Sequence, residues 1–274
     1  MKKIIILTIC VLLLSTGCSN KGELENNNEE TKVTIEKDSS KEDDLINEKY
    51  KNEIPIQWGE HIEGVTNNFD TENKQIALTL DACGGKEGSN YDKELIDFLE
   101  EENIPATLFI NYRWIMKNED IFLELSKNPK FEIENHGYSH KPLSVNGNSI
   151  YNIEGTKNVR EVTEEIKLNE DKVYELTGIK TKFFRSGTAY YDEVAINICE
   201  ELNYKIAGFS INGDGGATFT KEQVMNEVLK SRSGDIIISH FNRPNGETYE
   251  GLKEALIGLK QQGYVFMKLE DVVK

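Results

Sequence analysis

The sequence predicts an α/β domain over residues 73–274, built on a parallel sheet closed or nearly closed into a (β/α) barrel of about seven strands. Three observations carry this expectation. Short apolar runs alternate with amphipathic stretches some seven times from Lys74 onward, which is the signature of strand–helix–strand units and so of a parallel sheet. The segment before Lys74 lacks that alternation. Polar and titratable residues recur just after the apolar runs, and a β/α barrel brings the C-terminal ends of its strands to one face.

Taken in order, residues 1–17 read as a signal peptide. Lys2 and Lys3 precede an apolar run, Ile4–Leu14, and the small residues Ser15, Thr16 and Gly17 follow. Such a run is shorter than the ~20 residues that span a bilayer. The ending Leu-Ser-Thr-Gly-Cys18 resembles a bacterial lipoprotein signal, which implies lipidation of Cys18 and a place on the extracellular face of the cell membrane. Residues 18–72 are poor in aliphatic side chains and rich in Asn, Glu, Lys, Asp and Ser. They are expected to form a flexible acidic tether, since too little apolar surface is available to offset chain entropy. Ile56 and Trp58 could dock onto the domain.

The expected strands are Ile76–Leu80, Ala106–Ile110, Phe131–Glu134, Phe183–Phe184, Ile206–Ser210, Ile236–Ser239 and Val265–Leu269. The expected helices are Lys93–Glu102, Asp120–Lys127, Val159–Thr177, Asp192–Leu202, Lys221–Lys230 and Thr248–Gln261. Thr220 with Gln223 forms a capping box for one of them.

Net charge is −16, and removing Lys2 and Lys3 with the signal takes it to −18. This balance argues against nucleic acid as a partner and against electrostatic adsorption to anionic lipid. Membrane contact is therefore expected only through the N-terminal lipid, on a monomer. Of the four cysteines, Cys83 and Cys199 lie in the domain and are expected as unbridged thiols.

Chemistry-bearing residues fall at one end of the expected strands. Asp81 follows the first, His136 and His140 the third, Arg185 the fourth, Asp214 the fifth and His240 the sixth. Two imidazoles four residues apart suit a zinc-type metal, which favours nitrogen ligands. Asp81 could be a ligand or a general base, and His240 a general acid. Arg185 could orient Asp81 or pair with a surface acid. Asp214 could tune a histidine or shape the turn Asn212-Gly-Asp-Gly-Gly216. Tyr112, Trp114, Tyr138, Tyr190, Tyr191 and Phe241 lie near the same ends, and flat faces suit sugar rings.

These residues together resemble the polysaccharide deacetylases with the NodB-homology domain, carbohydrate esterase family 4. The resemblance covers about residues 74–274 and rests on five ordered motifs: Thr79-Leu-Asp-Ala82, His136-Gly-Tyr-Ser-His140, Arg185-Ser-Gly-Thr-Ala189, Asn212-Gly-Asp214 and Ile238-Ser-His240. It implies a distorted barrel and a metal-dependent deacetylase acting on an N-acetylated polysaccharide such as peptidoglycan or chitin. His136 and His140 would hold a divalent metal, usually zinc, with cobalt or nickel as substitutes. Asp81 would be the base, His240 the acid, and Arg185 and Asp214 their supports. A backbone N–H near Thr188 would face the oxyanion, and Tyr138, Tyr190 and Tyr191 the sugar.

One departure bears on the metal. The family's third ligand is an aspartate where this chain has Ala82. Water could fill the position, Asp81 could become a ligand, or affinity could fall. Cys83 is adjacent, but its side chain is expected to point elsewhere. Two further readings remain: a carbohydrate-binding lipoprotein without chemistry, and a hydrolase of small amides or O-acetyl esters.

Overall fold

The structure is a computed structural model that describes residues 41–274. The expectations for residues 1–17 and for Cys18 lie outside the described residues. Eleven strands are present among these: β1 (Trp58–Gly59), β2 (Val65–Thr66), β3 (Gln75–Ala82), β4 (Ala106–Ile110), β5 (Phe131–Asn135), β6 (Phe183–Phe184), β7 (Tyr191–Asp192), β8 (Lys205–Ala207), β9 (Ile211–Asn212), β10 (Ile236–His240) and β11 (Val265–Met267). Eight of them run side by side in the order β2-β8-β6-β5-β4-β3-β10-β9, and β11 adds beside the start of β3. All of these pairings are parallel, from Val65 opposite Ile206 at one edge to Ile237 opposite Ile211 at the other. The result is the expected distorted β/α barrel, curled but left open between β2 and β9.

Burial explains why β3 holds the centre. Seven of its eight residues are buried, the near-continuous apolar run of a strand covered on both faces. The helix Val159–Thr177 starts where the Asn158 side chain accepts the Glu161 N–H, and ends at Gly178, whose φ of 72° suits the left-handed cap. Its buried stripe, Val159, Val162, Ile166 and Val173, repeats at helical spacing against the sheet. The Thr220–Gln223 capping box forms as expected.

The tether boundary is corrected. The compact unit begins at Leu45 rather than at residue 73. Residues 45–50 are helical, and Ile46 is 1% exposed among Val162, Ile166, Ile196 and Ile198. Lys49 and Tyr50 both meet the Glu201 carboxylate. The backbone N–H groups of Ile56 and Gln57 donate to Glu193 at 2.6 and 2.9 Å, and β1 then pairs antiparallel with β7. Composition obscured this because the docking residues are few and widely spaced. Ile56 itself remains exposed; its backbone makes the contact.

Two smaller corrections follow from local chemistry. The strand expected over 206–210 stops at Ala207, because Gly208 turns its N–H to Thr66 and its carbonyl to Arg185. The strand expected to reach Leu269 stops at Met267, and Leu269–Val272 forms a helical turn.

Candidate active site

The parallel register brings the expected residues together. His240 on β10 lies directly opposite Asp81 on β3. Asp81 is 2% exposed, and its Oδ1 accepts from Arg185 Nη1 at 2.7 Å. Arg185 is wholly buried with all three guanidinium nitrogens bonded: Nη1 also donates to Thr79 Oγ1, Nε to the Ala207 carbonyl and Nη2 to the Gly208 carbonyl. Its guanidinium carbon sits 4.2 Å from the centre of the Phe109 ring. Burial alone would raise the Asp81 carboxyl, but Arg185, then His136 and His240, outweigh it and hold the group below its ordinary value. Arg185 thus orients Asp81 and does not pair with a surface acid.

His136 is 1% exposed, and its Nδ1 lies 2.9 Å from the Arg185 carbonyl. A carbonyl only accepts, so Nδ1 carries the proton and Nε2 presents a lone pair. Burial pushes this imidazole down to about 4, which keeps it neutral, the form that binds metal. His140 stacks edge-on at 4.9 Å between ring centres. Its backbone has φ of 62°, a left-handed conformation costly for a residue with a Cβ.

Glu165, a residue not singled out from sequence, holds that conformation. From the helix Val159–Thr177 its carboxyl accepts the backbone N–H groups of Ser139 and Lys141, on either side of His140. Burial raises the Glu165 carboxyl to about 7 despite these donors. Gly187 lets the next strand end approach, since a Cβ there would meet the His140 carbonyl at 2.4 Å.

His240 and Asp214 form a second unit. The Asp214 carboxylate accepts the His240 backbone N–H at 2.7 Å and faces His240 Nδ1 at 2.9 Å. It also accepts from Gly216 N–H and the Thr248 hydroxyl. The two roles left open for Asp214 are therefore both filled, turn and histidine partner together. Burial works against charge on His240, but Asp214 outweighs it and raises the imidazole well above its ordinary value.

Cys83 departs from expectation. Its Sγ lies 3.8 Å from His136 Nε2, turned into the site because β3 ends at Ala82 and the chain bends through Gly84 and Gly85. Among the described residues, Cys83, His136 and His140 offer one donor atom each, all within 4.8 Å of one another. His140 Nε2 is buried and lacks a hydrogen-bond partner there. A soft sulfur and two imidazoles, one of them with a buried nitrogen that lacks a hydrogen-bond partner, fit a divalent metal of the zinc type. Burial would raise the Cys83 thiol, yet His140 and His240 bring it down to about 6. Ala82 is fully buried and packs in the apolar core. Cys83 and Cys199 are unbridged.

A cavity of about 470 Å³ opens over these groups, with Asp81, Cys83, His140, Thr188 and His240 in its wall. The aromatic expectations divide. Tyr191 is wholly buried, its hydroxyl accepting the Ser186 N–H, so it is a core residue and not a sugar contact. Tyr138 packs on Tyr112, 4.6 Å between centres, outside the cavity wall. Tyr190 is likewise outside it, but supports Tyr151, which lines the wall. Glu60, Tyr151 and Arg113 line it without having been expected. Glu60 arrives on the segment read as tether, and Tyr151 on a loop with no periodic pattern.

Comparison with known proteins agrees with this geometry. A family model described as polysaccharide deacetylase matches residues 68–207. A bifunctional xylanase/deacetylase of Pseudobutyrivibrio xylanivorans is 26% identical over 211 residues; the match takes in 76% of this chain and only 32% of that longer protein. The peptidoglycan-N-acetylmuramic acid deacetylase PdaA of Bacillus subtilis is 22% identical over 237 residues, 81% of this chain and 82% of its own. Among solved structures, the Bacillus anthracis protein BA3943, described as a carbohydrate esterase family 4 pseudoenzyme, superposes with a TM-score of 0.65 at 18% identity, over 77% of this chain and 69% of that one. The chain belongs to the polysaccharide deacetylase family.

Proposed function

We propose that this protein is a metal-dependent deacetylase that removes N-acetyl groups from a cell-wall or extracellular polysaccharide, of the peptidoglycan or chitin type. One observation carries the reading. A carboxylate kept ionised by Arg185 and an imidazole kept protonated by Asp214 stand on adjacent strand ends of the same cavity. They are a base and an acid whose surroundings push their proton affinities apart, as acyl transfer to water requires.

His136 and His140 would hold the ion, zinc by preference with cobalt or nickel as substitutes. When bound, such an ion supplies positive charge that polarises an acyl carbonyl and acidifies water. Asp81 takes the proton of the attacking water, its free Oδ2 facing the site while Oδ1 stays on Arg185. His240 gives its Nε2 proton to the amide nitrogen as the carbon–nitrogen bond breaks, releasing acetate and a free amino sugar. Asp214 retains the Nδ1 proton and stabilises the imidazolium throughout. The backbone N–H near Thr188 would receive the carbonyl oxygen as charge develops on it. A lipid on Cys18 would keep this chemistry at the outer face of the cell membrane.

Acetate release tests the reading, from N-acetylated chitooligosaccharides and from peptidoglycan, with the chain stripped of metal and then given Zn²⁺, Co²⁺ or Ni²⁺. Release restored by metal and abolished in Asp81→Asn is the expected result. Ala82 favours a second reading, a carbohydrate-binding protein without chemistry. Sugar binding with no acetate release under any metal would select it.

A further inference from the structure

We propose that Cys83 is the third protein ligand of the metal, its thiolate standing in for the carboxylate that Ala82 cannot provide. The inference rests on the reading above only in supposing that a metal binds.

The distances support it. Two ligands bound to one zinc ion at about 2.3 Å (sulfur) and 2.1 Å (nitrogen) in tetrahedral geometry lie about 3.6 Å apart. Cys83 Sγ and His136 Nε2 are 3.8 Å apart. The His136 Nδ1 bond to the Arg185 carbonyl leaves Nε2 as the donor, the usual arrangement of a metal-bound histidine. His140 supplies the third donor of the triangle, and its Nε2 is buried without a partner among the described residues. The Asp81 carboxylate is the rival. Its Oδ2 is also 3.6 Å from His136 Nε2, but it falls outside the group whose donors all lie within 4.8 Å of one another, and its other oxygen is held by Arg185. Cys83 as ligand leaves Asp81 free to act as a base.

Coordination takes Cys83 as the thiolate and makes the site softer than one built on carboxylate. Zinc and cobalt are then favoured over magnesium and manganese.

The test is optical. The full chain is stripped of metal and titrated with Co²⁺, which shows a near-ultraviolet sulfur-to-cobalt charge-transfer band only when a thiolate is bound. The proposal expects that band at one equivalent, bleached by Zn²⁺, kept in Cys199→Ser and lost in Cys83→Ser. Cobalt affinity in Cys83→Ser should fall by ~100-fold or more, beyond what loss of a supporting residue costs. Cys83→Asp should regain affinity without the band. Cobalt bound by the wild-type chain with no band, or a band persisting in Cys83→Ser, overturns the proposal. If Cys83→Ser does not fold, alkylation of native wild-type chain decides: saturating Zn²⁺ should shield Cys83 from iodoacetamide, and undiminished labelling overturns it. A band without acetate release would leave Cys83 as ligand and remove the deacetylase reading. Metal-dependent release without a band would do the reverse.

Discussion

The backbone carbonyl of Arg185 accepts the Nδ1–H of His136 at 2.9 Å. The same residue's guanidinium binds Asp81, so one buried arginine sets both the tautomer of a metal-type histidine and the charge of the neighbouring carboxylate. The two effects separate by mutation.

Arg185→Met strands the Asp81 carboxylate in the interior. Breaking a buried pair from one side costs about 3–5 kcal/mol, and a lowered denaturant midpoint checks this. Asp81→Asn keeps an oxygen toward Nη1 and should cost less stability, while lowering kcat for acetate release by ~10²–10⁴.

His240 and Asp214 predict the alkaline limb of the rate profile. Asp214 raises the His240 imidazole well above its ordinary value of 6.5, against the opposing effect of burial. The acid form therefore persists above that pH, and the rate falls only as pH climbs through the raised value. Linkage has the same sign: stability from this pair is fully present below the unfolded value and is lost as pH rises through the folded one. Asp214→Asn should move the alkaline limb to lower pH. A limb that does not move would show that His240 is not the group being titrated.

Glu165 lies outside the cavity wall and acts through His140. Glu165→Ala should lower metal affinity ~10–100-fold by freeing the loop that holds His140 at φ of 62°. Metal titration followed by fluorescence or calorimetry reads this directly. Glu165→Gln, which retains an acceptor, should recover part of the affinity.

Ile46 tests the N-terminal boundary. At 1% exposure in the core, Ile46→Ala should destabilise the chain by about 2–5 kcal/mol. Replacement of the 80% exposed Ile54 should leave the melting temperature unchanged.

Long periodic elements were legible from sequence because burial leaves a repeating mark. Val159–Thr177 and Thr248–Gln261 match the structure end to end, and the strand ends carried Asp81, His136, His140, Arg185, Asp214 and His240 to one site. Strands β1, β2, β7 and β9 were missed because two residues cannot display a period; β6, equally short, was legible only as a wholly apolar pair. Glu165 was invisible because a carboxylate at a helical position ordinarily faces water; only the fold shows it turned inward to a loop. Cys83 was misjudged because the direction of its side chain is set by the bend through Gly84 and Gly85 after β3, which the sequence pattern does not reveal. Tyr191 was misassigned because an aromatic beside a site motif looks the same whether it faces sugar or core.

The pairing of β1 with β7 also bears on how this unit can be shuffled between proteins. The match to the Pseudobutyrivibrio xylanivorans xylanase/deacetylase takes in only 32% of that protein, so where such a unit starts bears on how it could be grafted. A cut at 73 would strip β7 of its partner, vacate the Ile46 socket and take Glu60 from the cavity wall. The portable cassette therefore begins near Leu45, upstream of the point where the alternating pattern starts.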